Sequence, residues 1–213
     1  MAIATPHVKK GRKFDQVLEG ARTIFLRDGF EGASVDDIAR EAGVSKATLY
    51  SYFPDKRLLF TEVTRVECQR QADRAMTFDD PALPAAEALT IAARRIIAVA
   101  TSEAGQRIYR ICVAESDRFP ELGRAFYDSG PRLVRERLAE YLRLATARGE
   151  IRIDDVDFAA EQFYELCKAG LHARLIFGAN SCSALDLDRT ITGAVEMFMA
   201  RYANRPATRP ERA

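Results

Sequence analysis

The chain has 213 residues, room for one large domain or two small ones with a substantial buried core. Hydrophobic residues make up 47% and charged residues 30%, which excludes a disordered chain and a membrane protein by composition. The formal net charge of +1 argues against a protein that coats nucleic acid by bulk charge, but leaves room for a local basic patch.

The N-terminal stretch MAIATPHVKKGRK has positive charges with no apolar run behind them, so it does not read as a signal peptide. Lys9, Lys10, Arg12 and Lys13 sit together with no acid among them, and define a basic arm over residues 1–13. Phe14, Val17, Leu18, Ala21 and Phe25 follow at helical spacing, and Gly29 is a stop just past that first helix. Ser34 caps a short second helix, with Asp36 and Asp37 in the turn where the helix dipole favours negative charge. Gly43 ends it. Ser45 caps a third helix that runs through Tyr52 and stops before Pro54. A fourth starts near Asp55, buries Leu59, Val63 and Val66, and reaches about Thr77.

A break at Asp79–Pro84 precedes longer helical patterns over 84–101, 104–117, 121–148, 156–177 and 186–203. Gly130-Pro131 breaks or kinks the third of these. The last residues, 204–213, lack apolar anchors and read as a frayed tail. No convincing strand is present, so the expected class is all-α. The longest apolar run, Ile96 to Ala100, is far too short to span a bilayer. No membrane partner is expected, and the location is cytoplasmic.

Charge divides unevenly along the chain. Residues 1–60 carry ten Lys/Arg against eight Asp/Glu, and residues 61–213 carry 22 against 23. Five of the six lysines precede residue 60. The four cysteines (Cys68, Cys112, Cys167, Cys182) are too far apart for a metal knuckle, and His7 and His172 are the only histidines. No metal and no cofactor is expected, and His172 reads as a hydrogen-bonded core or interface group.

The second and third helices have helix-turn-helix spacing. Ala39 is small where the two helices meet, Gly43 supplies the turn, and Leu49 locks the third helix to the core, with Ile38 and Val44 between them. The third helix then presents Ser45, Lys46, Ala47 and Thr48 at the end that meets base edges in the major groove. Tyr50 and Ser51 point away from the inward Leu49 and Phe53. Lys56 at the start of the next helix is placed for a phosphate, and Ser34 is a second such candidate beside its capping role. Lys9, Lys10, Arg12 and Lys13 are candidate arm contacts to phosphates or the minor groove.

Residues 14–60 resemble the DNA-binding domain of the TetR family of bacterial transcriptional regulators. The likeness rests on Gly43-Val44-Ser45-Lys46-Ala47-Thr48-Leu49-Tyr50-Ser51-Tyr52-Phe53-Pro54-Asp55-Lys56 and on Phe25, Gly29-Phe30 and Ser34 to Ala39 upstream. It covers about a quarter of the chain. The resemblance implies phosphate contacts for Tyr50 and Tyr52, although half-buried packing is the competing role for Tyr52. It also implies a helical ligand-sensing and dimerising region over the remainder. The domains expected are thus the arm 1–13, a three-helix DNA-binding domain 14–60, a ligand-binding and dimerisation domain 61–203, and the tail 204–213.

Two segments carry a heptad-like seam. Ala159, Phe163, Leu166, Gly170, Ala173 and Phe177 form one, and Leu187, Ile191, Ala194, Phe198 and Tyr202 the other. The expected homodimer interface takes Phe163, Leu166, Gly170, Ala173, Phe177, Ile191, Phe198 and Tyr202; the alternative is that these faces complete the protomer core. A pocket for a small-molecule effector, of unknown identity, is expected around Arg107, Tyr109, Arg110, Glu115, Phe126 and Tyr127, where aromatics mix with charge. The function read from these features is a ligand-responsive repressor that binds a palindromic double-stranded DNA operator as a homodimer. The alternative is a DNA-binding regulator or architectural protein governed by a protein partner. No nucleophile–base–acid set, metal cluster or phosphate loop points to an enzyme.

Overall fold

The computed structural model describes residues 11–75, 82–179 and 182–204. In chain order the α-helices are α1 (Arg12–Gly32), α2 (Val35–Glu41), α3 (Lys46–Tyr52), α4 (Lys56–Ala75), α5 (Ala85–Thr101), α6 (Glu103–Glu115) and α7 (Pro120–Tyr127). A π-helical turn (Asp128–Arg132) leads into α8 (Leu133–Ala147), followed by α9 (Val156–Leu166), α10 (His172–Ile176) and α11 (Ala184–Tyr202). The described residues form two compact units. The first takes 11–69 and 107–129; the second takes the remainder.

In the first unit α1 buries Phe14, Val17, Ala21 and Phe25 of the predicted stripe; Leu18 is only half-buried, and Ile24 is buried in addition. The helix begins at Arg12, so Arg12 and Lys13 are first-turn helical residues rather than part of an arm; Lys9 and Lys10 lie outside the described residues. Gly29 interrupts α1 with φ 75° and ψ −177°, and one short turn continues to Gly32. Ile38, Leu49, Phe53, Leu59 and Phe60 complete the core beneath α1. Phe60 meets Phe25 edge-on at 4.8 Å and Phe30 at 5.4 Å.

Ile108 and Cys112 of α6 and Leu122 of α7 belong to this same core. The expected boundary at residue 60 therefore differs from the packing, in which 61–69 and 107–129 join the N-terminal helices. The reason is composition: α6 and α7 offer their few large buried side chains to the aromatic cluster of α1 and α4.

The second unit centres on α5, which buries Ala85, Ala88, Leu89, Ala92, Ala93, Ile96 and Ile97. Its alanines let α11 and α10 approach, and α8, α9 and α11 supply Leu138, Leu142, Ala159, Phe163, Ile191 and Phe198. Phe163 and Phe198 meet edge-on at 5.2 Å. One isolated antiparallel bridge pairs Ile151 with Ala203.

The expected helix 156–177 is broken. α9 ends at Leu166, and Gly170 takes φ 72° before α10 begins at His172. Left-handed backbone is inexpensive for glycine alone, so Gly170 redirects the chain instead of packing a seam. The Gly130-Pro131 site behaves as expected: proline removes a helix donor, and the helix passes it through a π turn. No helix among the described residues is long and apolar enough to cross a membrane.

Candidate nucleic-acid interface

The helix-turn-helix is built from capped ends. Ser34 Oγ accepts the Asp37 amide at 3.0 Å, and Ser45 Oγ accepts the Thr48 amide at 3.1 Å. Between them α2 ends in a two-bond C-terminal motif: the Val44 amide donates to Ala39 O at 3.0 Å and the Gly43 amide to Arg40 O at 3.1 Å. That motif requires a left-handed residue, and Gly43 has φ 63°. Ile38, Ala39 and Leu49 are buried, as the spacing predicts.

α1 approaches this turn closely at Gly20. A Cβ there would lie 2.7 Å from the Ala42 amide nitrogen and 2.8 Å from Ala42 Cα. Sequence spacing does not single out Gly20. Its signal is a glycine in mid-helix, where it weakens the helix unless close packing needs it.

The outer face of α3 carries Lys46, Ala47, Tyr50 and Ser51, all exposed, with Tyr50 48% exposed. Thr48 is half-buried. The small Ala47 leaves α3 free to enter a groove at short range. The hydroxyl protons, however, are unevenly available. Ser34 Oγ donates to Asp37 Oδ2 at 2.7 Å, and that bond, with Arg40 nearby, holds the Asp37 carboxyl below the usual range. Ser51 Oγ donates to Thr48 O at 2.6 Å. Neither serine then has a proton to offer a phosphate oxygen unless its rotamer changes. Ser45 and Thr48 share one hydrogen bond of 2.8 Å, so one hydroxyl of that pair keeps its proton.

Lys46 forms an ion pair with Asp36 across the turn. Tyr52 is half-buried and packs edge-on against Phe14 at 5.7 Å. Lys56 does not point outward as expected. Its ammonium donates to Ala33 O at 3.1 Å and Glu31 O at 3.3 Å, and lies 4.8 Å from the Phe30 ring centroid. The N-terminus of α4 is occupied as well: Asp55 Oδ1 accepts the Leu58 amide at 2.9 Å, and a carboxylate there disfavours a phosphate.

The six expected pocket residues all fall in the first unit. Tyr109 and Phe126 meet edge-on at 5.9 Å, Tyr127 is exposed, and Glu115 is half-buried. Arg107 departs from the expectation: it donates to Leu26 O and, at 3.5 Å, to Arg27 O on α1. Arg110 is exposed on α6.

The expected interface divides in two. Phe163 is 0%, Phe198 2% and Ile191 4% exposed within the protomer, so these three are core residues and are corrected as such. Burying a phenylalanine stabilises by about 2–3 kcal/mol, which commits them to their own chain. Phe177 is 85% exposed, Gly170 and Ala173 are exposed, and Leu166 and Tyr202 are half-buried. An open groove of about 460 Å³ runs between α9 and α11, along Leu166, Ala169, Met197 and Arg201. Among the described residues no cluster of three His, Cys, Asp or Glu forms a metal site.

Residues 17–63 match the family model described as bacterial regulatory proteins, tetR family. Residues 87–204 match the one described as AefR-like transcriptional repressor, C-terminal domain. The HTH-type transcriptional repressor AcnR of Corynebacterium efficiens is 34% identical over 73 residues, which are 34% of this chain and 38% of that protein. The chain thus spans well under half the length of the curated relative it matches. Among solved structures, a TetR-family transcriptional regulator from Mesorhizobium loti is 30% identical, covers 92% of this chain and 100% of its own, and superimposes with a TM-score of 0.83. The flavonoid-responsive regulator FrrA is 35% identical with the same coverage and a TM-score of 0.76.

Proposed function

Since the chain belongs to the TetR family of bacterial transcriptional regulators, we propose that it is a ligand-responsive repressor that binds a palindromic DNA operator as a homodimer. The observation that carries this is α3 itself. Its inward residues Leu49 and Phe53 are buried, and its outer face leaves Ala47, Tyr50 and Lys46 exposed. Seven residues read few base pairs, so two copies related by a twofold axis are needed for useful specificity. The exposed apolar side chains of Met197, on the α9–α11 groove, and of Phe177, at the end of α10, suit the second copy.

Selection from a pool of random duplexes tests the reading. A twofold-symmetric site should emerge, with affinity that falls steeply as salt rises because phosphate contacts release counterions. Absence of any sequence preference at moderate salt overturns it. The effector class is approached through the relative described as flavonoid-responsive: planar phenolic compounds are the first to screen, by thermal shift and by release of the selected duplex. A duplex released by a purified protein and not by any small molecule favours the partner-controlled alternative.

A further inference from the structure

The joint between α1 and α2 is held from outside. At Gly29 the chain leaves the helical path, and the carbonyls of a terminating turn are the ones a helix leaves without intrahelical partners. Arg107 of α6 reaches them: its Nη1 donates to both Leu26 O and Arg27 O. A cation at the C-terminal end of a helix segment also complements its dipole.

The turn that follows is gripped by a second set of side chains. Phe119 packs against Phe30 at 6.0 Å with the rings inclined by 66°. The guanidinium groups of Arg57 and Arg118 lie 5.1 Å and 5.0 Å from the Phe119 ring centroid. Arg118 pairs with Glu31 at 2.9 Å, although both side chains are well exposed and that pair contributes little by itself. Lys56 closes the joint from the α4 side, on the carbonyls of Glu31 and Ala33. The next residue is Ser34, the cap of α2.

We propose that Arg107 and Phe119 are positioning residues for the DNA-binding helices: they fix the Gly29–Ala33 joint, and through it the angle at which α2 and α3 leave α1. The inference rests on α3 being the recognition helix. Arg107 is suited to the task because its planar guanidinium is pre-organised and weakly hydrated, so that Nη1 reaches both carbonyls with less ordering than a flexible ammonium would need. Phe119 is suited because its ring lies beneath two guanidinium groups and packs at a steep angle against Phe30.

The test uses the full-length protein, the selected duplex, and Arg107→Ala, Arg107→Lys, Phe119→Leu and Arg124→Ala. Arg124 is an exposed arginine of α7, so its removal matches the charge change. Arg107→Ala should bind the duplex about tenfold more weakly, the loss of a charge-assisted hydrogen bond pair. Its melting temperature and oligomeric state should stay close to wild type, and amide exchange over residues 28–33 should quicken in the free protein. Arg107→Lys should recover part of the affinity, and Phe119→Leu should weaken binding without altering size. Wild-type affinity and exchange in Arg107→Ala overturn the proposal, as does an equal loss in Arg124→Ala, which would make the effect one of charge alone. If Arg107→Ala does not fold, Arg107→Lys and Phe119→Leu decide by the same readouts. If the wild-type protein selects no duplex, the functional reading fails, while the exchange measurement still judges the clamp.

Discussion

Glycine in mid-helix is worse than alanine by about 1 kcal/mol, yet at position 20 alanine is the worse residue. Its methyl would sit 2.7 Å from a backbone nitrogen of Ala42, and neither backbone can yield without moving the turn. Gly20→Ala should therefore destabilise by about 2–3 kcal/mol in urea unfolding, in the range of an overpacked core. Thr64 is the converse case. It is fully buried on α4, and its hydroxyl has only the weakly hydrogen-bonding Cys112 thiol beside it, with no oxygen or nitrogen partner among the described residues. An isosteric apolar side chain removes that orphaned group, so Thr64→Val should raise stability by about 1 kcal/mol by the same assay. Tyr50 is exposed on the outer face of α3, whereas Tyr52 is held by Phe14. Tyr50→Ala should weaken DNA binding severalfold in a titration with the duplex and leave dimerisation unchanged; loss of the dimer would assign the tyrosine to packing instead. Residue type and spacing make Leu49, Gly43 and the capping serines legible in sequence. They do not show Lys56 folding back on Ala33, because the carbonyls it binds become available only once α1 bends at Gly29.

Helix ends were the most readable elements. Ser34 and Ser45 each cap the helix that follows, as expected from sequence; Ser183, which the sequence pattern does not single out, forms a reciprocal capping box with Asp186. For a helix as short as α3 the cap matters more than propensity. Ser45→Ala should cost about 1 kcal/mol and loosen the first turn of α3, visible as faster exchange of the Thr48 amide. The seams of the second half were harder. A spacing of 4, 3, 4, 3 marks an apolar face, but it is blind to whether the facing helix belongs to the same chain. Phe163, Ile191 and Phe198 are buried together in one core, Phe163 against Phe198, while Phe177 faces out. Nor does periodicity report φ, so Gly170 fitted the pattern of a continuous helix and breaks it in fact.

For the molecule as a whole, three buried thiols tie stability to pH. Burial raises Cys68, Cys112 and Cys167 from 9.0 to about 12. The unfolded chain ionises these thiols above about pH 9 while the folded chain keeps them protonated. Their contribution is complete below pH 9 and is lost as pH climbs toward 12, at about 1.4 kcal/mol per thiol for each pH unit. Urea midpoints should fall between pH 8.5 and about 10.5, and a variant with all three cysteines changed to alanine should fall less steeply. Assembly is the other whole-molecule property. Met197→Glu, on the α9–α11 groove, should shift the protein from dimer to monomer in sedimentation without unfolding it, since Met197 is 62% exposed in the protomer.

The Ile151–Ala203 bridge sets a practical limit on how far the gene can be shortened. Around it, the Arg152 amide donates to Tyr202 O at 2.8 Å, the Asn204 amide to Glu150 O at 3.0 Å, and Asn204 Nδ2 to Gly149 O at 2.9 Å. A stop codon after Asn204 preserves all three bonds. Moving the stop to follow Arg201 deletes every one of them and removes Tyr202 from Phe198, whose ring it meets at 4.8 Å. The end of α11 would then be free to unwind, and a crystallographer or tag designer should place the fusion point beyond residue 204 rather than within the last helix.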